Sequence, residues 1–207
     1  MIPHLLPLPG NEPLAAALSK HLGAELGALD TRHFPDGESY LRIDSDVAGR
    51  NVILVATLDR PDEKILRALF AADAARDLGA ARVGLIAPYL AYMRQDRRFK
   101  PGEAITSVSF ARLLSQAFDY LVTIDPHLHR HASMGEIYTI PVGVGHATAA
   151  IAAWIKQTIA QPVIIGPDAE SQQWVAAVAE RAAAPFTVLD KKRRGDRDVV
   201  VTLGPMQ

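Results

Sequence analysis

The sequence contains no cysteine, and this absence removes several kinds of chemistry at once. A chain without thiols forms no disulfides, builds no thiolate metal site and offers no cysteine nucleophile. Aromatic residues make up only 6% of the chain, and no apolar run is long enough to cross a membrane. The net charge of -1 shows no general excess of either sign. Composition therefore favours neither a nucleic-acid-binding nor a membrane-binding surface.

What is present is the composition of an ordinary globular protein, with 49% hydrophobic residues in a chain of 207. This length allows one large domain, or one domain and part of a second. The first residues lack a basic start followed by an uninterrupted apolar stretch, so we expect no signal peptide and a cytoplasmic protein.

Short apolar runs alternate with helical patterns, which is typical of a doubly wound, mostly parallel α/β sheet. Strands are predicted at 4–7, within 30–46 on either side of a turn at 35–37, and at 51–56, 82–87 and 120–124. Helices are predicted at 13–22, 62–78 and 107–118, and the second of these carries an apolar stripe of Ile65, Leu66, Leu69 and Phe70.

The alternation of strands and helices restarts after a predicted hinge at 141–145. Beyond the hinge we expect helices at 148–159 and 171–183, and strands at 162–166, 186–189 and 198–203. The sequence therefore predicts a first domain at 1–145 and an incomplete second domain of similar fold at 146–207.

The segment from Pro88 to Lys100 follows a buried strand and is strongly basic. Its polar residues are Arg94, Gln95, Asp96, Arg97, Arg98 and Lys100. Ligands of open α/β sheets bind at the carboxyl ends of strands, arginine forks bind phosphate oxygens, and glutamine pairs with the edge of adenine. A solvated basic loop explains the composition about as well. The Gln95–Asp96 pair inside the basic run favours a site for a polyphosphate joined to a base.

Two predicted strands end on an aspartate, Asp125 and Asp168, and the first of these precedes His127, His129 and His131. A carboxylate and imidazoles at a strand's carboxyl end can hold a divalent cation. Histidines bonded to protein partners are the alternative, and a single aspartate at such a place is usually a helix N-cap. The equivalent positions in two consecutive units favour a functional role facing one crevice.

The most charged run of the chain, 190–197, lies between two predicted strands. It is either a solvated loop or a flap that brings cations to a phosphoryl group, where their charge is most effective once water is excluded. Because its like charges repel, we expect Lys191 to Arg197 to be mobile without ligand.

The turn at 34–38 carries an aromatic residue and two carboxylates. Turn chemistry alone accounts for Pro35, Asp36 and Gly37. A functional role for Phe34, Asp36 and Glu38, stacking on a base and accepting from its amino group, is the alternative.

Together and in this order, these stretches resemble the ribose-phosphate pyrophosphokinase (phosphoribosyl pyrophosphate synthetase) family over essentially the whole chain. The matching pieces are 34–38, Pro88 with Tyr89, 94–98, 125–127, 167–168 and 190–193. The segment 94–98 and the turn 34–38 together give the resemblance most of its specificity.

The family transfers the β,γ-diphosphate of ATP to the C1 hydroxyl of ribose 5-phosphate and releases AMP. The resemblance implies that ATP is bound by Phe34, Asp36, Gly37, Glu38, Arg94, Gln95 and Asp96, with the turn 34–38 supplied by a neighbouring subunit. It implies Mg²⁺ at His127 and Asp168, and catalytic roles for Lys191 and Arg193, the latter also at ribose 5-phosphate. It further implies two phosphoribosyltransferase-like domains and a homo-oligomer built from dimers, commonly a hexamer.

The sequence departs from the family at the ribose-phosphate loop, an acidic pair followed by small hydroxyl residues, glycine and threonine. That loop has no counterpart before Gln207. Two smaller departures are Ala169-Glu170-Ser171 in place of small residues and glycines, and Asp125-Pro126-His127 in place of Asp-Leu-His. We therefore expect a truncated enzyme that keeps much of its nucleotide site and is weak or inactive in the full reaction.

Three alternatives remain open at this point. A non-catalytic homologue that regulates or assembles with an active synthetase would share the fold. A phosphoribosyltransferase would also share it, but it takes a base instead of ATP and does not explain Arg94-Gln95. A nucleic-acid binder is disfavoured because the basic residues are confined to predicted loops.

Overall fold

The computed structural model describes residues 2–193 and 199–207, and most of its helices lie between two strands in the chain. Contacts divide the chain into two units, Met1–Gly145 and His146–Gln207. In the first unit the elements are β1 (His4–Pro7), α1 (Glu12–Leu22), β2 (Glu25–Leu26), β3 (Leu29–His33), β4 (Ser39–Ile43), β5 (Asn51–Val55), α2 (Ile65–Asp77), β6 (Arg82–Ala87), α3 (Thr106–Ala117), β7 (Tyr120–Ile124) and β8 (Val142–Gly145).

Six of these strands form one parallel sheet in the order β2-β1-β5-β6-β7-β8, and β3 and β4 form an antiparallel hairpin. Successive side chains of a strand point to opposite faces, and helices cover both. Leu5 and Ile53 pack with α1, whereas Leu6, Leu54 and Leu85 belong to the larger core that includes residues of α2 and α3. The structure thus confirms the predicted doubly wound, mostly parallel α/β fold.

Parallel strands end at the same edge of the sheet, which here is called the carboxyl rim and comprises the residues that follow β1, β5, β6 and β7. The opposite edge, where the same strands begin, is called the amino rim. Ligands of doubly wound sheets bind at the carboxyl rim, so this rim is where the candidate residues need to lie.

Helix α2 buries a different face from the apolar stripe seen in the sequence. Its buried residues are Ala68, Ala71, Ala72 and Ala75, while Leu66 and Phe70 are about half exposed. Alanines let the helix approach the sheet closely, so Leu66 and Phe70 point outward while Ile65 and Leu69 pack partly buried against the core. The helix also begins three residues later than predicted, after a 3-10 turn at Pro61–Glu63.

The predicted hinge at 141–145 includes the edge strand β8, which is parallel to β7, and the first unit ends at Gly145. The strand itself was not predicted, since Pro141 and two glycines are more typical of a break in the chain. An edge strand pairs on one side only, however, so it tolerates both residue types. The carbonyl of Pro141 accepts a hydrogen bond from the Leu121 N–H at 3.0 Å.

The second unit contains α4 (Thr148–Thr158), β9 (Ile164–Gly166), α5 (Gln172–Ala182), β10 (Phe186–Arg193) and β11 (Val199–Leu203). Its strands form a sheet in the order β11-β10-β9, in which β9 and β10 are parallel and β10 and β11 antiparallel. Helices α4 and α5 pack through Ala152, Ile155, Val178 and Ala182.

The predicted basic loop 190–197 begins later than expected, since β10 continues to Arg193. Lys191 and Arg193 are strand residues whose Cα partners in β11 are Val201 and Val199. Charged residues at the end of a hairpin strand stay in register when the partner strand offers a full set of backbone hydrogen bonds. Residues 194–197, the rest of the predicted flap, lie outside the described residues.

None of the helices that the structure describes is long and apolar enough to cross a membrane.

Candidate functional site

Three long loops leave the carboxyl rim side by side: 56–64 after β5, 88–105 after β6 and 125–141 after β7. Each contains a non-glycine residue with positive φ, namely Arg60 (49°), Tyr92 (59°) and Asp125 (41°). Within the described part of the chain, the fourth such residue, Ala183, ends α5. Backbone strain of this kind concentrates at functional sites. The three strained residues therefore favour the carboxyl rim as the location of a functional site.

The loop 88–105 alternates buried anchors with exposed cations. Met93 and Asp96 are buried, Gln95 is half-buried and Arg94 is exposed. The carbonyl of Gln95 accepts from the Ser107 N–H at the start of α3, at 3.3 Å. The anchors fix the backbone on both sides of Arg94. Its guanidinium forms no hydrogen bond or ion pair with another described residue, which leaves it available to an anion.

Glu103 organises the remaining cations of the same loop. Its carboxylate accepts from the Phe99 and Lys100 N–H groups at 2.8 and 3.0 Å, and its carbonyl accepts from Arg98 Nε at 2.9 Å. The Arg97 guanidinium lies 4.7 Å from the centre of the Phe99 ring. The basic run is therefore a folded loop held by its own hydrogen bonds, in contrast to a solvated basic segment.

Side-chain contacts tie this loop to its neighbours on both sides. The Tyr92 hydroxyl donates to Asp62 in the loop 56–64, and this hydrogen bond raises the pKa of Tyr92. On the other side, Arg130 Nη1 donates to both carboxylate oxygens of Asp96, at 2.8 and 3.1 Å. Sequence reasoning missed Arg130. Its one local signal is an arginine set among alternating histidines, and its partner lies 34 residues away.

The loop 125–141 begins with Asp125, whose N–H donates to the carbonyl of Gly145 at 3.0 Å. The rings of His127 and His129 meet edge to face with centres 4.1 Å apart. His131 Nδ1 lies 3.2 Å from a carboxylate oxygen of Glu136, so this histidine has a protein partner. No three His, Asp or Glu side chains within residues 2–193 and 199–207 converge as a metal-binding cluster.

The turn between β3 and β4 is held by four hydrogen bonds. Phe34 N–H donates to the Glu38 carbonyl (2.8 Å), Gly37 N–H to the Phe34 carbonyl (2.9 Å) and Glu38 N–H to Asp36 Oδ1 (3.1 Å). His33 Nδ1 lies 3.0 Å from the Gly37 carbonyl. Gly37 has φ 91°, a conformation that favours glycine. Phe34, Asp36 and Glu38 are all exposed at this turn.

Outside the turn itself, the side-chain hydrogen bonds of the hairpin reach α2. Arg67 contacts His33 and approaches Ser39 Oγ at 3.4 Å. The Arg32 guanidinium lies 4.1 Å from the Tyr40 ring centre and 5.2 Å from that of Phe34. Within the described residues these contacts hold the turn to α2 and not to the loop 88–105.

In the second unit, Asp168 follows β9 and caps the 3-10 turn Ala169–Ser171. Its Oδ1 accepts from the Ser171 N–H at 3.1 Å, while the Ser171 hydroxyl donates to the Asp168 carbonyl at 2.6 Å. This is the N-cap role that a lone aspartate commonly has. Asp168 is half-buried at this turn. The backbone places Lys191 and Arg193 two residues apart in β10.

Known proteins of one family are similar to this chain. A family model described as the N-terminal domain of ribose phosphate pyrophosphokinase matches residues 4–117. Ribose-phosphate pyrophosphokinases from Saccharolobus solfataricus and Methanopyrus kandleri are 40% and 32% identical, over 86% and 91% of this chain. The chain spans 60% and 64% of the lengths of those two relatives.

A third relative, the ribose-phosphate pyrophosphokinase of Halobacterium salinarum, is 30% identical over 95% of this chain and 69% of its own length. Among solved structures, phosphoribosylpyrophosphate synthetase from Mycobacterium smegmatis superposes with a TM-score of 0.81. The match covers 98% of this chain and 67% of that protein at 24% identity. This last similarity establishes the fold.

Proposed function

The chain belongs to the ribose-phosphate pyrophosphokinase family, and from this premise we propose that it binds ATP at the carboxyl rim of its first sheet. The reaction is transfer of the β,γ-diphosphate of ATP to the C1 hydroxyl of ribose 5-phosphate, which gives phosphoribosyl pyrophosphate and AMP. The observation that supports this proposal most directly is the loop 88–105. It presents Arg94 to solvent between buried anchors, next to the half-buried amide of Gln95.

In this proposal Arg94 binds phosphate oxygens and Gln95 pairs with the adenine edge, the contacts for which a guanidinium and an amide are suited. Asp96 belongs to the same ATP-binding segment and fixes its backbone. The turn 34–38 closes over adenine in the site of a neighbouring copy, with Phe34 stacking on the base and Asp36, Gly37 and Glu38 completing the pocket. The turn is exposed and is held by α2, which suits a segment that contacts a neighbouring copy.

We propose Mg²⁺ as the cofactor, with His127 as a candidate ligand in the first unit and Asp168 as a candidate ligand in the second. Mg²⁺ commonly keeps several waters and takes one or two protein ligands together with substrate phosphates. One imidazole and one carboxylate at these positions are consistent with the small number of protein ligands that Mg²⁺ takes. When bound, the ion would neutralise phosphate charge, and the cations of the loop 88–105 would orient the polyphosphate for in-line attack.

Lys191 and Arg193 are proposed as the catalytic cations, with Arg193 also binding ribose 5-phosphate. Diphosphate transfer needs positioning and charge neutralisation and requires no covalent group on the enzyme. The chain contains no cysteine nucleophile, and its two densest basic runs, 94–100 and 190–197, hold nine of its 22 lysines and arginines.

A polypeptide of these 207 residues alone is proposed to bind ATP yet to synthesise phosphoribosyl pyrophosphate slowly. Its sequence has no counterpart of the acidic loop that cradles the 5-phosphate in the family. Product formation followed by chromatography tests this directly. Turnover at rates typical of enzymes, about 1–1000 per second, would contradict the proposed impairment.

Self-association into dimers, and into larger homo-oligomers built from them, is proposed on a separate observation. Leu66, Phe70 and Leu113 are exposed on the outer sides of α2 and α3. A groove of about 360 Å³ lies between these helices, and Asp73 and Arg76 also line it. Apolar patches of this kind commonly mark protein interfaces. Sedimentation velocity tests the proposed self-association. The wild type should sediment as a dimer or larger oligomer, and Phe70→Ser should weaken this association. A monomeric wild type would contradict the proposal.

Calorimetric titration with ATP and magnesium tests the nucleotide assignment. Arg94→Ala removes the proposed phosphate contact, and we expect its affinity to fall about ten- to a hundredfold, as loss of a charged hydrogen bond implies. Arg82→Ala is the matched control, because it removes an exposed arginine from the amino rim. Equal affinities for wild type and Arg94→Ala would overturn the assignment.

A further inference from the structure

We propose that Arg130 is a positioning residue, which holds the ATP-binding loop in its productive conformation through an ion pair with buried Asp96. The inference rests on the proposed ATP contacts of Arg94 and Gln95 and adds a residue outside the segments that resemble the family. It also gives Asp96 a specific role: this carboxylate acts through Arg130 instead of touching the nucleotide.

The geometry of Asp96 supports this role. Its side chain is only 1% exposed, and both of its oxygens accept from the same Arg130 nitrogen. A carboxylate so enclosed has no surface left for a ligand. It immediately follows Gln95 and lies two residues from Arg94, so any displacement of Asp96 moves the two proposed ATP contacts.

Arg130 suits the role because it belongs to another loop. The guanidinium reaches Asp96 from the loop after β7, and it also lies 5.5 Å from the Phe99 ring centre. Arg97 approaches the same ring at 4.7 Å. Cations that stack on an aromatic ring are attracted to it, so Phe99 and Asp96 together hold Arg130 at two points of the ATP-binding loop.

The Asp96 side of this ion pair is buried while the Arg130 side chain is 41% exposed, and the pair fixes structure because an unpaired carboxylate is costly in the protein interior. The two loops are consequently constrained to one relative arrangement. Since His127 lies three residues before Arg130, the ion pair also sets the spacing between the proposed phosphate-binding and metal-binding loops. Binding energy then goes into substrate contacts instead of loop ordering.

The experiment compares wild type with Arg130→Met, Arg130→Lys and the double variant Arg130→Met with Asp96→Asn. Arg50→Met is the control, since it breaks an ion pair with Glu25 at the amino rim. Two quantities are measured at a temperature below the unfolding transition of every variant. The first is the hydrogen-exchange rate of amides in 94–103 without ligand, and the second is the affinity for ATP in the presence of magnesium.

In Arg130→Met we expect exchange in 94–103 to accelerate about tenfold and ATP affinity to fall about tenfold, in line with typical coupling energies of contacting residues. Arg130→Lys should recover part of both effects because it restores one charge. The double variant should resemble Arg130→Met in affinity, because both substitutions break the same contact. Arg50→Met should leave both quantities unchanged.

Unchanged exchange in 94–103 of Arg130→Met would overturn the positioning role, whether or not ATP binds. Equal ATP affinity in wild type and Arg130→Met would overturn it as well. If the wild type binds no ATP, the proposed function fails, and the exchange data still decide whether Arg130 holds the loop. Acceleration equally large in Arg50→Met would show a general loss of stability and would also count against the inference.

Discussion

The two rims of the six-stranded sheet carry the same kinds of charged residues but use them differently. At the amino rim, Asp119 accepts from the Val83 N–H at 2.6 Å and from Arg76 at 3.1 Å, and the Tyr120 hydroxyl donates to Asn51 at 3.0 Å. The bond to Val83 connects the starts of the neighbouring strands β6 and β7, the bond to Asn51 reaches from β7 past β6 to β5, and the bond from Arg76 ties this rim to α2. At the carboxyl rim the bonds connect loop to loop, through Tyr92–Asp62 and Asp96–Arg130.

The difference follows from the length of the connections. Short connections at the amino rim need only pair their charges, and each pair stabilises the sheet locally. Long loops at the carboxyl rim would be disordered without internal contacts, because each free residue gains about 1–2 kcal/mol of conformational entropy on disordering. Contacts within and between the loops hold them, including the buried carboxylate of Asp96, so a few cations such as Arg94 can stay unpaired for a ligand. The predictions below test this division between a rim for stability and a rim for binding.

The largest effect on stability is expected at the carboxyl rim. Arg130→Met leaves the Asp96 carboxylate buried without its partner, and this should lower the free energy of unfolding by about 3 kcal/mol. Urea denaturation at neutral pH measures the change. Adding Asp96→Asn should restore most of the loss by removing the buried charge. A loss no larger than that of Arg82→Met would show that the pair is not important for the fold.

At the amino rim, Asp119→Ala should cost about 1.5 kcal/mol, because the Val83 N–H and Arg76 lose a charged acceptor. Burial opposes the charge of Asp119, but the bonds from Val83 and Arg76 outweigh it and lower its pKa. The contribution of Asp119 is therefore present above its unfolded pKa and is lost as the pH falls through the lower folded value. ATP affinity should not change, and a drop in affinity would contradict the separation of the two rims.

Glu103→Gln tests the internal bonds of the ATP-binding loop and should cost only about 1 kcal/mol, since these bonds are exposed. The expected effect is local: faster hydrogen exchange at Phe99 and Lys100, with the amides of β5 and β6 unchanged. Exchange that accelerates throughout the sheet would show that the loop and the sheet are not separable. Glu136→Gln, at another exposed hydrogen-bonding glutamate, serves as the control.

The smallest effect expected is a pH dependence from His4 at the amino rim. This histidine is 4% exposed, and burial, aided by nearby Arg50, lowers its pKa below the ordinary value, with Glu25 opposing. The unfolded chain therefore takes up the proton first as the pH falls. Stability should be fully present above about 6.5 and decline below it, toward the folded pKa.

Urea midpoints between pH 8 and pH 5 measure this decline in wild type and His4→Gln. In His4→Gln the urea midpoint should fall less steeply with decreasing pH than in the wild type. In His21→Gln, which replaces an exposed histidine, it should fall as steeply as in the wild type. An identical slope in wild type and His4→Gln would contradict the prediction.

Much of the fold follows from local sequence because buried parallel strands such as 51–55 and 82–87 carry short apolar runs. The strand predictions fail where pairing with a neighbouring strand determines the structure and local composition does not. Strand β8 contains two glycines after a proline, and the end of β10 is highly charged, so both resemble loops until their partner strands are known. The sequence did not predict the buried alanine face of α2, because larger apolar residues beside it dominate the apolar periodicity of the helix.

The candidate site shows the same limit. The basic run 94–100 is visible because its residues are consecutive, and so is the turn at 34–38. The contact between Asp96 and Arg130 depends on two neighbouring strands placing their loops side by side, and no local pattern reports it. Sequence reasoning thus located the proposed ligand contacts better than the residues that hold them.

The position of β1 in the interior of the sheet has a consequence for synthesis on the ribosome. β1 is made first, yet one of its two neighbours, β5, begins only at Asn51. Until that residue emerges, the nascent chain has an unfilled edge along β1 and apolar Leu5 and Leu6 without their final cover, a state open to misassembly. Once β5 has docked, β6, β7 and β8 can each be added to the growing edge in the order in which they are translated.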